Sequence, residues 1–411
     1  MGYYLGMQKI AIMGFGVEGR ATFEFLAASS VALAKEEGDE IHVFDDNPDT
    51  QVPEGANFHH GHVIPADFDV VYKTPGMHPA KMVLESPNTK VTSLTNLFMA
   101  NVKGKVIGVT GSKGKSTTAS LIHHILLGAG KKSVLVGNIG TAALMKLSED
   151  SPETWYVYEM SSYQCELLYK SPHIAVITNL HEEHLDHHGS FENYWNAKKR
   201  ITQSQSPGDW VVIPEGLEIE TQAKKVVVQK PTQKFATKLL GEHNQMNIAL
   251  AVEAVKCAGV SEEVARKAIE TFEPLEYRLE RVGEHKGIIF FDDSLATIPE
   301  ATLFALSALP DVDTLILGGQ DRGISLAGFS EALAKSQVQT FITLPENGPR
   351  MVVGIMGKKI FDVNSMEEAV KTAYEHATKA VLLSNASPSY NMFKDYKDKS
   401  AQYRKWIKEL S

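Results

Sequence analysis

GVTGSKGKSTTASL, residues 108–121, begins within the apolar run KVIGV and continues into a segment with helical periodicity. Four apolar residues of that segment lie on one helical face: Leu121, Ile122, Ile125 and Leu126. The glycine-rich part therefore lies at a helix N-terminus, where unpaired backbone N–H groups and the positive end of the helix dipole attract anions. This order of strand, loop and helix predicts a phosphate-binding loop.

The loop meets the general pattern of nucleotide-binding loops only in part, because Val109 stands where a glycine is usual. Gly111 and Gly114 let the backbone wrap around a phosphate, and Lys115 can reach the β and γ oxygens. Ser116 can offer its hydroxyl to Mg²⁺. The alternative is an ordinary surface turn with a lysine, and the ordered strand, loop and helix favour nucleotide binding over it.

Short β-branched runs alternate with helical patterns along the whole chain, which predicts an α/β protein with mainly parallel sheets and flanking helices. At 411 residues the chain exceeds what one hydrophobic core usually supports. Two intervening segments, NLFMANVKGK and FEPLEYRLERV, place domain boundaries near residues 98 and 276. We expect three domains, which span residues 1–97, 98–276 and 277–411.

The composition is that of a globular protein, with 43% hydrophobic and 22% charged residues. A formal net charge of -9 argues against a nucleic-acid partner, because phosphate backbones favour an excess of lysine and arginine. Cys165 and Cys257 are too few for a disulfide framework and fit a reducing cytoplasm. The sequence contains no run of about eighteen apolar residues, so we expect a cytoplasmic protein that acts on small molecules, without a membrane partner.

Two segments after the loop carry candidate metal ligands. Glu159 directly follows the apolar strand pattern WYVY, and a carboxylate at that point is a good Mg²⁺ ligand. The histidine-rich run HEEHLDHH, residues 181–188, also raises the alternative of a metal-dependent hydrolase. It departs from the histidine patterns of such enzymes, since Glu182 occupies the first histidine place and Leu185 follows His184. His184 remains the favoured ligand because it follows a strand of the same unit.

A second glycine fingerprint lies near the start of the chain. GFGVEG follows the strand pattern KIAIM and places Gly14, Gly16 and Gly19 at the three glycine positions of the G-x-G-x-x-G pattern. Asp45 ends the next strand. Taken alone, this pattern indicates an NAD-dependent dehydrogenase. The same geometry suits any diphosphate, however, and a dehydrogenase would not need the phosphate loop at residues 108–121.

Several motifs follow one another in an order that resembles the Mur ligases of peptidoglycan synthesis: GVTGSKGKST, EMSSYQ, TNLHEEHLDHHGS, NAKKRI, GEHNQMN, EYRLE and DDSLAT. The resemblance runs over nearly the full chain and implies a Rossmann-like UDP-binding first domain, a central P-loop ATPase domain and a Rossmann-like third domain. It also implies a reaction in which ATP phosphorylates a carboxylate and an amine then attacks the acyl phosphate. The strongest resemblance is to members that add D-glutamate to UDP-N-acetylmuramoyl-L-alanine. We expect a monomer.

The resemblance implies roles for residues around the phosphate loop. Lys115, His184 and Lys198 would be the catalytic residues. Ser116 and Glu159 would hold one Mg²⁺, while His184 and Lys198, the latter as a carbamate, would support a second. The residues expected to bind ATP are Gly111, Ser112, Lys113, Gly114, Lys115, Ser116, Thr117, Asn244, Asn247, Arg278 and Asp293. Without the motif match, the AKKR run that contains Lys198 would be interpreted as the solvated basic face of a helix. For Asn244, the alternative is that its side chain caps a helix.

The other substrates are assigned in the same way. The residues expected to bind the UDP-linked substrate are Gly14, Gly16, Gly19, Asp45, Thr74, Gly76, Asn138, Ser161 and Gln164. The residues expected to bind the amino acid, in the third domain, are Thr297, Arg322, Ser389 and Tyr396. Arg322 could grip a carboxylate in a bidentate way. For Asn138, beside two glycines, turn formation is the alternative.

Three positions depart from the family pattern. Leu295 stands where members that add D-glutamate usually have a lysine, Asn385 where a proline is usual, and Glu183 where an aspartate is usual. Leucine offers no charge to a phosphate or a carboxylate. Related ligases that use L-glutamate also lack this lysine, so the sequence leaves D-glutamate, L-glutamate or another amino acid open, with D-glutamate favoured.

Overall fold

The computed structural model describes residues 8–32, 39–321, 326 and 328–410. It separates into two compact units. The first unit comprises Met1–Ala236 and Gln245–Thr271, and the second comprises Thr237–Asn244 and Phe272–Ser411. The first unit contains two large sheets and the second contains one. The three-domain limits at residues 97 and 276 stay predictions.

The first sheet has five parallel strands in the order β3-β2-β1-β5-β7. A separate parallel pair joins β4 to β6. In chain order the elements are β1 (Lys9–Met13), α1 (Val17–Ala32), β2 (Glu40–Asp45), β3 (Ala56–His60), β4 (Val63–Ile64), β5 (Val70–Lys73), β6 (Val83–Leu84), β7 (Lys90–Ser93) and α2 (Leu94–Asn101).

The second sheet has six parallel strands in the order β13-β12-β11-β8-β10-β9. The chain leaves β8 toward one side and later returns to its other side at β11, so a crevice opens at the carboxyl end of β8. The elements are β8 (Lys105–Thr110), α3 (Lys115–Gly128), β9 (Ser133–Gly137), β10 (Trp155–Glu159), α4 (Ser162–Cys165), β11 (Ile174–Ile177), α5 (Leu185–His188), α6 (Phe191–Gln203), β12 (Trp210–Pro214), β13 (Lys224–Val228), α7 (Glu242–Cys257) and α8 (Glu262–Thr271).

The third sheet has the order β14-β15-β19-β16-β17-β18, and only β14 runs antiparallel to its neighbour. The elements are β14 (Glu280–His285), β15 (Ile288–Asp292), α9 (Pro299–Ala308), β16 (Val312–Gly319), α10 (Phe329–Lys335), β17 (Thr340–Glu346), α11 (Gly348–Met351), β18 (Lys359–Asp362), α12 (Met366–His376), β19 (Ala380–Leu383) and α13 (Tyr396–Lys408).

Buried strands explain why the sequence predicts this class. Every residue of β10, β11 and β19 is buried, as expected for parallel strands covered by helices on both faces. The prediction of an α/β fold with mainly parallel sheets is confirmed. No helix in the described part of the chain is both long enough and apolar enough to cross a membrane.

Candidate active site

The glycine loop lies at the carboxyl end of β8, between β10 and β11. Gly111 and Gly114 have φ angles of 140° and 79°. A Cβ atom on Gly111 would lie 2.0 Å from Thr178 Oγ1, and one on Gly114 would lie 2.3 Å from Asn247 Oδ1. Backbone conformation and lack of space therefore both require glycine at these positions. The loop leads directly into α3, where the sequence predicts a helix.

Residues that follow β11 hold the loop in place. The Ser112 hydroxyl lies 2.9 Å from the Tyr194 hydroxyl. The backbone N–H of Lys113 donates to Asn179 Oδ1 over 2.8 Å, and the Lys113 ammonium pairs with Glu183. Glu183, one of the departures from the family pattern, thus fixes the loop through an ion pair.

Lys115, the first residue of α3, lies over the loop. Its Nζ donates to the backbone oxygens of Gly111 and Ser112 over 3.0 and 2.7 Å. Ser116 and Thr117 follow in the first turn of α3 and are partly buried. The loop therefore combines a cation with the N-terminus of a helix, an arrangement suited to a polyphosphate.

Glu159 ends β10 next to the loop and is 1% exposed. Its Oε1 accepts from Asn138 Nδ2 over 3.3 Å. Its Oε2 is buried and has no hydrogen-bond partner among the described residues. Burial of a carboxylate oxygen without a partner costs folding free energy unless a bound cation interacts with it. Glu159 therefore fits the Mg²⁺ role that the sequence suggests.

Lys198 lies on α6 and is 1% exposed. Its Nζ donates to the backbone oxygen of Gly111 over 2.8 Å, which places the amine beneath the phosphate loop. Burial, and next the charge of Lys115, lower the pKa of Lys198 to about 7. Lys199 is partly exposed, with its ammonium 5.7 Å from the centre of the Trp195 ring. The two adjacent lysines thus have different environments.

His184 is exposed and precedes α5 in a left-handed conformation, with φ of 56°. The centre of its ring lies 5.0 Å from that of Tyr163 and 6.3 Å from that of Tyr194. The Lys198 ammonium lies 4.7 Å from the centre of the Tyr194 ring. Tyr194 therefore contacts both residues that the resemblance assigns to a second Mg²⁺.

The two asparagines expected to bind ATP have different surroundings. Asn247 is 5% exposed and packs against Gly114 of the phosphate loop. Asn244 Nδ2 donates to the backbone oxygen of Leu240 over 2.6 Å, just before α7. Asn244 thus lies within the first turn of α7, and both its helix-cap alternative and its role in ATP binding stay predictions.

In the first sheet, the glycine fingerprint is held by its own neighbours. A Cβ atom on Gly14 would lie 2.3 Å from Thr74 Oγ1, and one on Gly19 would lie 2.2 Å from the backbone oxygen of Gly14. Asp45 Oδ2 accepts from the backbone N–H of Phe15 over 2.7 Å. Gly14, Thr74 and Asp45 are thus brought together, as the sequence suggests. Gly16 and Gly76 are exposed with open space around them.

Ser161 and Gln164 form a capping box at the start of α4. Gln164 Nε2 also donates to Glu18 Oε1 over 2.7 Å, which links α4 to the first turn of α1. Burial raises the pKa of Glu18 to about 6. Sequence reasoning missed Glu18. The available signal was an acidic residue within GFGVEG, a glycine fingerprint expected to bind a negatively charged diphosphate.

A second link between these sheets was also missed. Lys73 ends β5, and its buried ammonium lies 3.3 Å from Glu166 Oε2. Burial lowers the pKa of Lys73. Glu166 is in turn 3.5 Å from His187 Nε2, and His188 Nε2 lies 3.0 Å from the Ser162 hydroxyl. A lysine that ends an apolar strand, as in DVVYK, was the available signal.

The second unit has its own buried polar group. Asp293 follows β15, and the Ser384 hydroxyl donates to its Oδ2 over 2.9 Å. Burial raises the pKa of Asp293 to about 7. Arg278 is exposed and lies between two residues with positive φ, Tyr277 and Leu279. Asp293 is therefore a buried acid, and Arg278 an exposed cation on a strained turn.

The residues assigned to the amino acid are placed only in part. Ser389 is buried and accepts a hydrogen bond from Lys399 Nζ over 2.8 Å. Tyr396 begins α13, and its ring centre lies 5.4 Å from that of Tyr277. Thr297 is exposed. Arg322 lies outside the described residues.

Lys399, one of the largest fully buried side chains, was not singled out from the sequence. Burial lowers the pKa of Lys399 to about 8, against the opposing effect of Asp292 and Asp293. Leu295 is partly buried, and its backbone N–H donates to Tyr277. Asn385 is fully buried and donates from Nδ2 to the backbone oxygen of Gly318 over 2.7 Å.

Comparisons with known proteins identify relatives of this chain. A sequence profile of the Mur ligase middle domain matches residues 109–234. A UDP-N-acetylmuramoyl-L-alanine--L-glutamate ligase from Salinispora tropica is 32% identical, over 98% of this chain and 98% of its own length. A UDP-N-acetylmuramoylalanine--D-glutamate ligase from Symbiobacterium thermophilum is 29% identical, again over 98% of each chain.

The fold has solved counterparts as well. A MurF ligase from Thermotoga maritima in complex with ADP is similar, with a TM-score of 0.62 and 16% identity, over 98% of this chain and 96% of that one. At that identity the likeness concerns the fold alone. The relatives that match along the full length show that this chain belongs to the Mur ligase family, whose members are ATP-dependent ligases that form amide bonds.

Proposed function

We propose that this protein joins D-glutamate to UDP-N-acetylmuramoyl-L-alanine, with ATP as the energy source, in the synthesis of peptidoglycan precursors. The relative from Symbiobacterium thermophilum carries that activity in its name. The observation that carries the proposal is the group of buried polar side chains at the carboxyl ends of β8 and β10: Glu159 with an unpartnered oxygen and Lys198 beneath the phosphate loop.

The proposed reaction has two steps. A carboxylate oxygen of the UDP-linked substrate attacks the γ-phosphorus of ATP, and ADP leaves. The amine nitrogen of the amino acid then attacks the carbonyl carbon of the acyl phosphate, and inorganic phosphate leaves as the amide forms and the nitrogen loses a proton. The first step is needed because a carboxylate is a poor electrophile, whereas the acyl phosphate, a mixed anhydride, carries a good leaving group.

The phosphate loop would hold the nucleotide. Gly111 and Gly114 give the backbone the shape to surround a phosphate, and the Lys115 ammonium lies over the loop, where it can contact the transferred phosphoryl group. Asn247 packs against the loop at Gly114. These residues would neutralise and orient the triphosphate so that its γ-phosphorus faces the substrate carboxylate.

Two Mg²⁺ ions would supply charge neutralisation as two anions approach each other. Glu159 and Ser116 would hold one ion, and the unpartnered Oε2 of Glu159 is suited to it. His184 and Lys198 would support the other, the lysine as a carbamate. Both contact Tyr194, which supports a shared position.

Carbamate formation requires a neutral amine, since the nitrogen lone pair attacks CO₂ and a proton leaves. An ordinary lysine, with a pKa of 10.5, is almost wholly protonated at neutral pH, but burial lowers the pKa of Lys198 to about 7. About half of the amine is therefore neutral near pH 7. The product is a carboxylate on a long arm, which turns a buried cation into a metal ligand.

A second candidate activity uses L-glutamate. Leu295 provides no cation where D-glutamate ligases of this family usually have a lysine, and the relative from Salinispora tropica is named as an L-glutamate ligase. Either version would act on small molecules in the cytoplasm, as a monomer. D-glutamate is retained as the main proposal because the motifs resemble that group most closely.

The experiment is a phosphate-release assay on the full-length protein with UDP-N-acetylmuramoyl-L-alanine, ATP and Mg²⁺. D-glutamate, L-glutamate and the other amino acids are supplied in turn, and the amide product is identified by mass spectrometry. We expect the highest rate with D-glutamate. A higher rate with L-glutamate would establish the second candidate, and no phosphate release with any amino acid would contradict both. Lys115→Ala is the matched inactive control.

A further inference from the structure

Three side chains with metal-binding atoms converge beside the phosphate loop without a role in the ligase reaction. Glu166 directly follows α4, whereas His187 and His188 end α5. One donor atom from each lies within 4.8 Å of the other two. His187 Nε2 lies 3.5 Å from each carboxylate oxygen of Glu166.

We propose that Glu166, His187 and His188 form a binding site for a divalent transition-metal ion of the zinc type, separate from the Mg²⁺ sites of the ligase reaction. Two imidazole nitrogens and one carboxylate oxygen are the donor set that Zn²⁺ and Co²⁺ accept readily. Mg²⁺ prefers oxygen ligands alone and keeps several waters. The two kinds of site therefore select different ions by their chemistry.

Packing holds the two imidazoles in position. The Tyr163 ring stacks on His188, with centroids 5.6 Å apart and planes at 11°, and meets His187 edge to face at 4.4 Å. His78 contacts the other ring, His187, at 4.8 Å. The His187 side chain is only 7% exposed. Rings fixed in this way lose little freedom when they bind an ion, which favours affinity.

Lys73 is the feature that opposes a metal ion here. Its ammonium lies 3.3 Å from Glu166 Oε2. Both carboxylate oxygens, Oε1 and Oε2, lie 3.5 Å from His187 Nε2. Glu166 can therefore bind an ion through Oε1 while Lys73 orients the carboxylate through Oε2, as outer partners of metal ligands commonly do. Lys73 should nevertheless weaken binding through charge repulsion.

A bound ion would connect two segments that carry predicted active-site residues. Two ligands belong to α5, which His184 precedes, and the third directly follows α4, which contains Gln164. The ion would fix α5 against the end of α4 and so restrict the turn at His184. Three protein ligands also leave a fourth tetrahedral position for water.

The test uses Co²⁺ and Zn²⁺ with the full-length protein in a buffer that contains excess Mg²⁺. Co²⁺ reports its geometry by ligand-field absorption, and calorimetry with Zn²⁺ gives stoichiometry and affinity. We expect one tetrahedral Co²⁺ per chain. His187→Arg introduces a cation beside Glu166 and provides no metal ligand, and should weaken binding about tenfold or more. Glu166→Gln should do the same. His181→Ala removes an exposed histidine close by and should bind as the wild type does.

A gain-of-binding variant makes the test independent of damage to the fold. Lys73→Met removes the opposing charge, so it should tighten Zn²⁺ binding severalfold. The proposal is overturned if the wild type binds no Co²⁺ in excess Mg²⁺, or if His187→Arg and Glu166→Gln bind as tightly as His181→Ala. Circular dichroism of each variant shows whether the fold is retained. The protein is titrated with the metal ion alone, without any ligase substrate. A failure of metal binding can therefore be distinguished from a failure of ligase activity.

Discussion

Two buried lysines, one in each compact unit, have nearly the same burial but different neighbouring charges. Lys198 and Lys399 are each 1% exposed, and each amine donates to a group at the carboxyl edge of its sheet. Near Lys198 the strongest charge is another cation, Lys115. Near Lys399 the charges are the two carboxylates Asp292 and Asp293.

The difference shows how neighbours decide what a buried amine can do. Burial lowers both pKa values, but the cation beside Lys198 adds to the effect of burial, whereas the acids beside Lys399 oppose it. The pKa is about 7 for Lys198 and about 8 for Lys399. The first amine is suited to react as a neutral nucleophile, and the second to remain a cation at neutral pH.

The largest effect is expected from Lys198→Met. If the lysine acts as a carbamate, the variant should lose about 10²–10³-fold in kcat, because a group that stabilises developing charge is removed. Added formate or acetate should restore part of the rate. Lys199→Met is the control and should stay close to the wild-type rate. Full activity of Lys198→Met would rule out the carbamate.

The same variant should be more stable than the wild type in carbonate-free buffer. The folded-state pKa of Lys198, about 7, lies below its ordinary value of 10.5, so the unfolded chain binds this proton more tightly. The wild type therefore loses stability as the pH falls from about 10.5 to about 7, and Lys198→Met escapes this loss. Thermal unfolding should show the largest advantage of the variant at and below pH 7, and a smaller one near pH 10.

A smaller effect is expected from Lys399→Met. A cation beside Ser389 would favour binding of an amino-acid carboxylate, so its loss should raise the KM for glutamate about tenfold, equivalent to about 1.4 kcal/mol, with the KM for ATP unchanged. Lys397→Met, an exposed lysine two residues earlier, is the control.

Dependence on pH distinguishes this positioning role from a structural one. In the wild type the glutamate KM should rise above about pH 8, as Lys399 loses its proton. Lys399→Arg should remove that rise, because arginine keeps its charge. A pH-independent KM in the wild type would contradict the role.

Features that depend on residues close together in sequence could be predicted from the sequence. The phosphate loop is contiguous in sequence, and its glycines are required by local geometry, so residues 108–121 predict both the loop and α3. The parallel strands of the sheet centres are continuous apolar runs. β3 and β18 are short and contain no buried residue, and the patterns that reveal buried strands are absent from them. The fold class could be predicted, whereas these edge strands could not.

The site residues that sequence reasoning missed depend on contacts between distant segments. Lys73 and Glu166 are 93 residues apart in sequence, and neither belongs to a recognisable motif. Lys399 lies in a helix rich in lysines, where nothing local shows which one is buried. The first glycine fingerprint equally suits a dehydrogenase, and only the family resemblance, carried by other motifs, favours a ligase. Burial and pairing arise from tertiary structure, so their effects on chemistry need coordinates.

The smallest effect is expected from Leu295→Lys, which adds a cation to the second unit and so makes it more like the usual D-glutamate ligases. Leu295 is partly buried, so the ammonium can reach water while its stem packs where leucine does. If Lys399 already supplies the charge for the amino acid, the variant should change the ratio of kcat/KM for D- and L-glutamate by less than about fivefold, or about 1 kcal/mol. If Leu295 instead sets the stereochemical preference, the ratio should move by more than tenfold. Leu295→Met, of similar size and without charge, separates the effect of the cation from that of side-chain shape. A large shift with lysine but not with methionine would mean that the preference between D- and L-glutamate depends on a cation at position 295. The second unit would then depend on a cation at the edge of its sheet, as the first unit does, and the two units would differ less than their buried lysines suggest.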